Sequence, residues 1–373
     1  MHALEEGRRE QTILASNSVL SGGVSRRSFL RGSVAASAAL ALAGCGQASQ
    51  SVSSNAAASS DSSSSSNASA SDLAKISFVL DYTPNTNHTG IYVAQAKGYF
   101  ADEGLDVEIV QPPEDGADAL IGAGGAQMGV SYQDVMANSF SSDQPMPYTA
   151  VAAIIQHNTS GIMSRAADGI TRPKLMEDHT YATWDQPVEQ ATIKDVVEAD
   201  GGDYSKISLV PYNVDDEVSG LKANMFDTVW VYEGWAVQNA KVQNYDVNYF
   251  SFISIDDVFD YYTPVIAAND DFAKENPDQV KAFLRAAKKG YEFCVENPSD
   301  AADILCDSVP ELDSDLVHAS QDYLKDQYIA DASAWGVIDA NRWAKFYQWL
   351  NDQNLVENKL DVNKGYDLSY LEA

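Results

Sequence analysis

The chain has 373 residues, 45% hydrophobic and 21% charged, enough for two ordinary domains with buried cores. Its formal charge is −30, and from Cys45 onward 19 basic residues face 51 acidic ones. Nucleic acid is disfavoured as a partner, because its phosphates would be repelled rather than neutralised; such acidity keeps a chain soluble and says little about a small ligand.

The first informative element is Ser25-Arg26-Arg27-Ser28-Phe29-Leu30-Arg31, a twin-arginine element ahead of the Ala/Leu-rich residues 34–43. That apolar run is too short for a mature membrane span and ends in Leu42-Ala43-Gly44-Cys45, where small residues precede a cysteine. Residues 1–44 therefore read as an export signal of the Tat and lipoprotein type, cleaved before Cys45, whose sulfur takes the lipid. Residues 45–72 are almost entirely Ser, Ala, Asn, Gln and Asp, a tether unable to bury enough apolar area to fold. Only Cys294 and Cys306 remain, too few for a disulfide framework or a four-cysteine zinc site.

From Leu73 onward, short apolar runs alternate with helical patterns. Strands are expected at 75–80, 105–110, 128–131 and 148–156, with helices at 90–97 and 115–121 between them, and residues 162–164 begin a crossover. A second series follows: strand 180–184, helix 188–199, strand 207–210, helix 217–223 and strand 227–231. This alternation predicts mostly parallel sheets with helices on their faces. After Tyr262-Thr263-Pro264-Val265-Ile266 the chain turns helical. Asn276-Pro277 and Asn297-Pro298 mark helix starts, and further helices cover 313–329 and 341–351. Trp343, Phe346, Tyr347 and Leu350 share one face of the last helix and are expected in the core. Residues 73–165 with 265–373 would form one lobe and 166–264 a second, joined by crossings near 163–170 and 260–268. A ligand would sit between the lobes, at the ends of the strands.

No catalytic signature stands out: G-x-S-x-G, H-E-x-x-H and the P-loop are missing, and the histidines are scattered. Gly122-Ala123-Gly124-Gly125 follows a helix and reads as a turn. No cofactor and no metal is expected. The densest polar cluster is the segment 81–90 between the first strand and helix, where a crevice-facing loop should lie. Its amides, imidazole and phenol can donate to and accept from a heteroaromatic ring.

That segment, Asp81-Tyr82-Thr83-Pro84-Asn85-Thr86-Asn87-His88-Thr89-Gly90, with its continuation to Phe100, resembles the NMT1/THI5-like family. The resemblance continues through Gly104-Leu105-Asp106-Val107, Gly129-Val130-Ser131-Tyr132-Gln133 and Gln156-His157-Asn158-Thr159-Ser160-Gly161, and covers about residues 75–350. It implies an α/β type II periplasmic-binding-protein fold, two lobes with a ligand cleft between them. It also implies the substrate-binding part of an ABC importer for a thiamine pyrimidine precursor, of the formylaminopyrimidine or hydroxymethylpyrimidine type. Riboflavin, sulfonate and other small-solute binders are relatives and remain as alternatives.

A yeast-type branch of the family makes the pyrimidine, consuming its own histidine and a lysine-bound pyridoxal phosphate. Here the positions of that lysine and histidine hold Ser131 and Val135, and Tyr261-Tyr262-Thr263-Pro264 stands in place of the cysteine-rich iron motif. The expectation is therefore a binder and not an enzyme, monomeric, lipid-anchored to the outer face of the bacterial cell membrane and serving a membrane permease. Carried over by position, the ligand-binding residues are Tyr82, Asn85, His88, Tyr132, Gln133, Trp184, Glu189, Tyr232, Glu233 and Trp235. Glu233 is the expected acceptor for an exocyclic amine. The chain departs from the family pattern at Ala236, where relatives often carry an acidic residue just after the tryptophan.

Overall fold

A computed structural model describes residues 73–372 apart from Asn213 and Asp215. The export signal, Cys45 and the tether lie outside the described residues. The first leg of the chain runs β1 (Ala74–Val79), α1 (Thr89–Ala96), α2 (Tyr99–Asp102), β2 (Leu105–Val110), α3 (Ala117–Gly122), β3 (Met128–Ser131), α4 (Gln133–Ser141) and β4 (Tyr148–Ala153). The second leg contains β5 (Ser160–Arg165), β6 (Thr180–Thr183), α5 (Pro187–Ala199), β7 (Ser208–Pro211), α6 (Glu217–Lys222) and β8 (Thr228–Tyr232). A π-helical turn (Glu233–Val237), α7 (Gln238–Val242) and β9 (Val247–Ser251) complete it. The chain then returns through β10 (Val265–Asn269) into α8 (Asp270–Glu275), α9 (Pro277–Glu296), α10 (Pro298–Ser308), α11 (Ser314–Leu324) and α12 (Ala340–Asp352).

Two five-stranded sheets result, ordered β2-β1-β3-β10-β4 and β7-β6-β8-β5-β9. In each sheet four strands share a direction and one runs against them. The reversed strand is β10 in the first sheet, antiparallel to β3 and β4, and β5 in the second, antiparallel to β8 and β9. Each reversed strand is the first that the chain forms after crossing from the other lobe. The fold is the expected two-lobed type II periplasmic-binding-protein architecture.

The lobe boundaries differ from the sequence expectation. Residues 162–164 do not begin a crossover; they lie inside β5, which is paired on both sides within the second sheet. Its sequence, SGIMSR, is too short and too rich in Ser and Gly to announce a buried strand; two partners and burial impose it. The first crossing is therefore 154–159. On the return, Phe259 packs in the second lobe's core while Tyr261 and Tyr262 pack in the first, so the second crossing centres on Asp260 rather than on 260–268. The boundaries at 165 and 264 both move towards the N-terminus. Asn158 Nδ2 donates to the Phe259 carbonyl at 2.9 Å and the Asn158 amide to Asp260 Oδ1 at 3.0 Å, tying the two crossings together.

The C-terminal helices close the first lobe. Asn276-Pro277 and Asn297-Pro298 start α9 and α10 with proline at the first helical position. α9 buries Val280, Phe283, Leu284, Ala287, Tyr291 and Cys294 at spacings of three and four, with Phe283 stacked 5.2 Å from Phe78 of β1. α9 approaches α1 so closely that a Cβ at Gly290 would lie 2.0 Å from the Gly90 carbonyl oxygen. Trp343, Phe346, Tyr347 and Leu350 of α12 are fully buried, as their spacing predicts. The predicted helix 313–329 stops at Leu324, because Tyr328 turns inward to reach the Thr86 carbonyl at 2.7 Å. Cys294 and Cys306 are both free thiols. Among the described residues, no helix is long and apolar enough to cross a membrane.

Candidate functional site

A cleft of about 400 Å³ opens between the lobes, walled by the loop after β1, the end of β3, the second crossing and the strand ends of the second sheet. Its floor is built from the first lobe. Asp81 follows β1, and its carboxylate is gripped on both oxygens: Oδ1 lies 2.6 Å from His88 Nε2, and Oδ2 accepts from the Tyr132 hydroxyl. The Asn85 amide donates to His88 Nδ1 at 3.2 Å, so the proton of the imidazole sits on Nε2 and points at Asp81. Burial acts to raise the Asp81 carboxyl, but His88 and Tyr132 outweigh it and hold the group below the usual carboxylate range. Burial, reinforced by Asp81, pushes the Tyr132 hydroxyl well above its ordinary value, so it remains a donor.

The loop itself is held from beneath. Asn85 Oδ1 accepts the Asn87 amide at 2.9 Å, Tyr291 donates to the Asn87 carbonyl at 2.7 Å, and Tyr328 donates to the Thr86 carbonyl. Thr86 Oγ1 lies 2.5 Å from Ser320 Oγ, which in turn donates to the Gly234 carbonyl of the second lobe. With so many anchors, Tyr82 is left standing out at 67% exposure, its ring free to meet a ligand.

The second lobe supplies an aromatic wall. Trp184, after β6, sits edge-on to Tyr212 and tilted against Trp230 of β8, with ring centroids 5.8 Å apart in both cases. Trp184 and Tyr232 are 40% and 37% exposed, unusual for such large rings and expected where a ligand completes the packing. The Tyr232 hydroxyl lies 3.4 Å from Thr263 Oγ1 of the second crossing. Among the described residues lining the cleft there are two carboxylates, Asp81 and Glu217, and no Lys, Arg or His.

Of the ten residues expected at the site, Tyr82, Asn85, Tyr132, Trp184, Tyr232 and Trp235 line the cleft. The other four do not. His88 is fully buried and serves as the post behind Asp81. Gln133, also fully buried, donates to the Trp343 carbonyl and accepts the Tyr262 amide, both at 2.9 Å, and so staples α4 to α12 and to the second crossing.

Glu189 is 4% exposed and accepts from Tyr181 Oη at 2.6 Å, Thr183 Oγ1 at 3.0 Å and the amides of Trp184 and Gln186. Glu189 thus acts by fixing the Trp184 turn that leads into α5. Glu233 is turned towards α11, where its carboxylate accepts from the Tyr323 hydroxyl at 2.9 Å.

Asp81, Tyr212, Glu217, Trp230 and Thr263 were not singled out by the sequence, although all five line the cleft. Asp81 and Trp230 fall inside segments already marked, so only their direction was missing. Tyr212 and Glu217 lie in a stretch whose acidic pattern reads as an ordinary helix start. Among the described residues, no cluster of His, Cys, Asp and Glu has the geometry to hold a metal.

The sequence model of the family described as NMT1/THI5 like matches residues 85–301. The formylaminopyrimidine-binding protein of Halalkalibacterium halodurans is 30% identical over 291 residues, covering 76% of this chain and 87% of that protein. The 4-amino-5-hydroxymethyl-2-methylpyrimidine phosphate synthase THI11 of Saccharomyces cerevisiae is 26% identical over 253 residues, covering 65% and 73%. In structure, the chain is similar to the periplasmic aliphatic sulphonate binding protein SsuA from Escherichia coli. There the TM-score is 0.63 at 12% identity, over 80% of this chain and 99% of that one, a likeness of fold.

Proposed function

The chain belongs to the NMT1/THI5-like family, and from that premise we propose that it is an extracytoplasmic solute-binding protein for an aminopyrimidine precursor of thiamine, handing its ligand to an ABC permease. The observation that carries this reading is the make-up of the cleft: aromatic rings from both lobes, two carboxylates and no basic side chain among the described lining residues. Flat rings stack on such walls, and carboxylates accept from amino groups. A sulfonate or nitrate would be repelled by Asp81 and would find no cationic partner, which ranks anionic solutes lower.

Binding rather than synthesis is favoured by the two positions where the yeast-type branch needs its lysine and histidine. Ser131 is fully buried, its hydroxyl 2.5 Å from Asp118 Oδ1, and Val135 is a 39% exposed residue on α4. Neither side chain can form a Schiff base or be consumed as an imidazole. Export by the Tat route, a lipid on Cys45 and attachment to the outer face of the cell membrane complete the proposal and rest on the N-terminal sequence; the monomeric state is part of the same reading. The test is calorimetric titration of the purified chain with formylaminopyrimidine, 4-amino-5-hydroxymethyl-2-methylpyrimidine, riboflavin and taurine. One-to-one binding of a pyrimidine alone supports the reading; binding of riboflavin or taurine alone replaces the ligand, and a Schiff base with added pyridoxal phosphate would reopen synthesis.

A further inference from the structure

A donor-rich ring entering the cleft needs an acceptor with an unused lone pair, and the acidic residues near the cleft differ sharply in what they have left. Asp81 has a donor on each oxygen, His88 on one and Tyr132 on the other. Glu233 faces away and accepts from Tyr323. Ala236 lines the cleft with a methyl group alone. Glu217 is the remaining carboxylate in the lining. It opens α6, where the neighbouring Asp216 caps the helix through the Ser219 amide, so Glu217 is released from capping and its side chain turns into the cleft. Its Oε1 accepts from Tyr212 Oη at 2.9 Å, and beyond Glu217's own amide no other described residue donates to the carboxylate.

The surroundings suit a flat ring presented to that oxygen. Tyr212, which orients Glu217, is itself in contact with Trp184, and Trp184 with Trp230; Tyr82 approaches from the other lobe. Burial raises the Glu217 acid above its ordinary value. An ionised carboxylate in this partly buried place accepts from an exocyclic amine in a charge-assisted hydrogen bond.

We propose that Glu217 is the specificity-determining acceptor of this cleft, taking the exocyclic amino group of an aminopyrimidine while Trp184, Tyr212 and Trp230 frame the ring. The proposal rests on the aminopyrimidine reading above and assigns its recognition to a residue on α6. The site then selects amino-substituted rings over their oxo counterparts, because the carbonyl of an oxo ring would face the Glu217 oxygen without a proton between them.

The experiment is calorimetric titration of the full chain and of Glu217→Gln and Glu233→Gln with two ligands: 4-amino-5-hydroxymethyl-2-methylpyrimidine and the same ring carrying an oxo group at position 4. The wild type is expected to prefer the amino ligand. Glu217→Gln should weaken it by about 10- to 100-fold and shrink the amino-over-oxo ratio in step, whereas Glu233→Gln should keep both affinity and ratio. The ratio is the decisive readout, since general loosening of the cleft lowers both affinities together. If Glu217→Gln unfolds, Glu217→Asp, which withdraws the oxygen by one methylene, takes its place with the same expectation. A wild type that binds the amino ligand with an unchanged ratio in the Glu217 variant overturns the assignment and leaves the ligand class standing. A wild type that binds neither pyrimidine removes both.

Discussion

His88→Ala is the substitution that most directly separates a ligand contact from a buried anchor. The imidazole has no exposure, and both ring nitrogens are bonded, Nε2 to Asp81 at 2.6 Å and Nδ1 to the Asn85 amide at 3.2 Å. Its removal leaves the Asp81 carboxylate, 5% exposed, with Tyr132 as its one remaining side-chain partner, and strands the Asn85 amide. Taking the donor away from a buried carboxylate costs about 1.5–3 kcal/mol, and the cavity left behind adds to that. At roughly 2 °C per kcal/mol for a fold of this size, the unfolding midpoint should drop by at least about 3–6 °C in scanning calorimetry. Affinity for 4-amino-5-hydroxymethyl-2-methylpyrimidine should fall as well, through the loosened loop. A melting curve matching the wild type together with lost binding would refute the anchor role and return His88 to the ligand.

Four further outcomes are expected. Burial pushes the Asp134 carboxyl up to about 6, and its Oδ1 has no hydrogen-bond partner among the described residues. The folded value lies above the unfolded one, so the ionised form is a liability above pH 6. Asp134→Asn should match the wild type at pH 4 and be more stable by about 2–3 kcal/mol at pH 8 in urea titrations. The hydrogen bond that His157 donates to Asp260, helped by the one to Asp331, raises its imidazole against the effects of burial and Arg342. That tie contributes fully below about pH 6.5 and fades as pH rises through the folded value, so His157→Gln should flatten the melting profile between pH 5 and 9. Trp184→Ala should leave the fold intact and weaken pyrimidine binding by about 2 kcal/mol, read by calorimetry. Glu189→Ala, by contrast, orphans Tyr181, Thr183 and the Trp184 amide together, and should lower both melting temperature and affinity.

The alternation of short apolar runs with helical patterns made the sheets legible from sequence: β2 and β3 match their predicted limits, and Asn-Pro marks the true starts of α9 and α10. Strands that owe their existence to neighbours on both sides, such as β5, carried no such signal. The same holds for α4, whose Asn and Ser break up the apolar pattern. At the site, the segments were right and the directions often wrong. Gln133 and Glu233 open α4 and the π-helical turn, so each turns away from the cleft with the first turn of a helix that the sequence did not announce. Glu217 was out of reach, because only the folding of the second lobe sets the start of α6 beside Tyr212.

The position of β10 also sets an order of events during synthesis. It lies between β3 and β4, so the first sheet cannot close until residue 269 has left the ribosome. The second lobe draws all its strands from residues 160–251 and can complete its sheet earlier. Until β10 arrives, the edges of β3 and β4 stand open, and pairing them depends on contacts more than a hundred residues apart in sequence. The earliest part of the chain is therefore among the last to become native. A nascent chain stalled before residue 265 should present a protease-resistant second lobe attached to an unfinished, aggregation-prone first one.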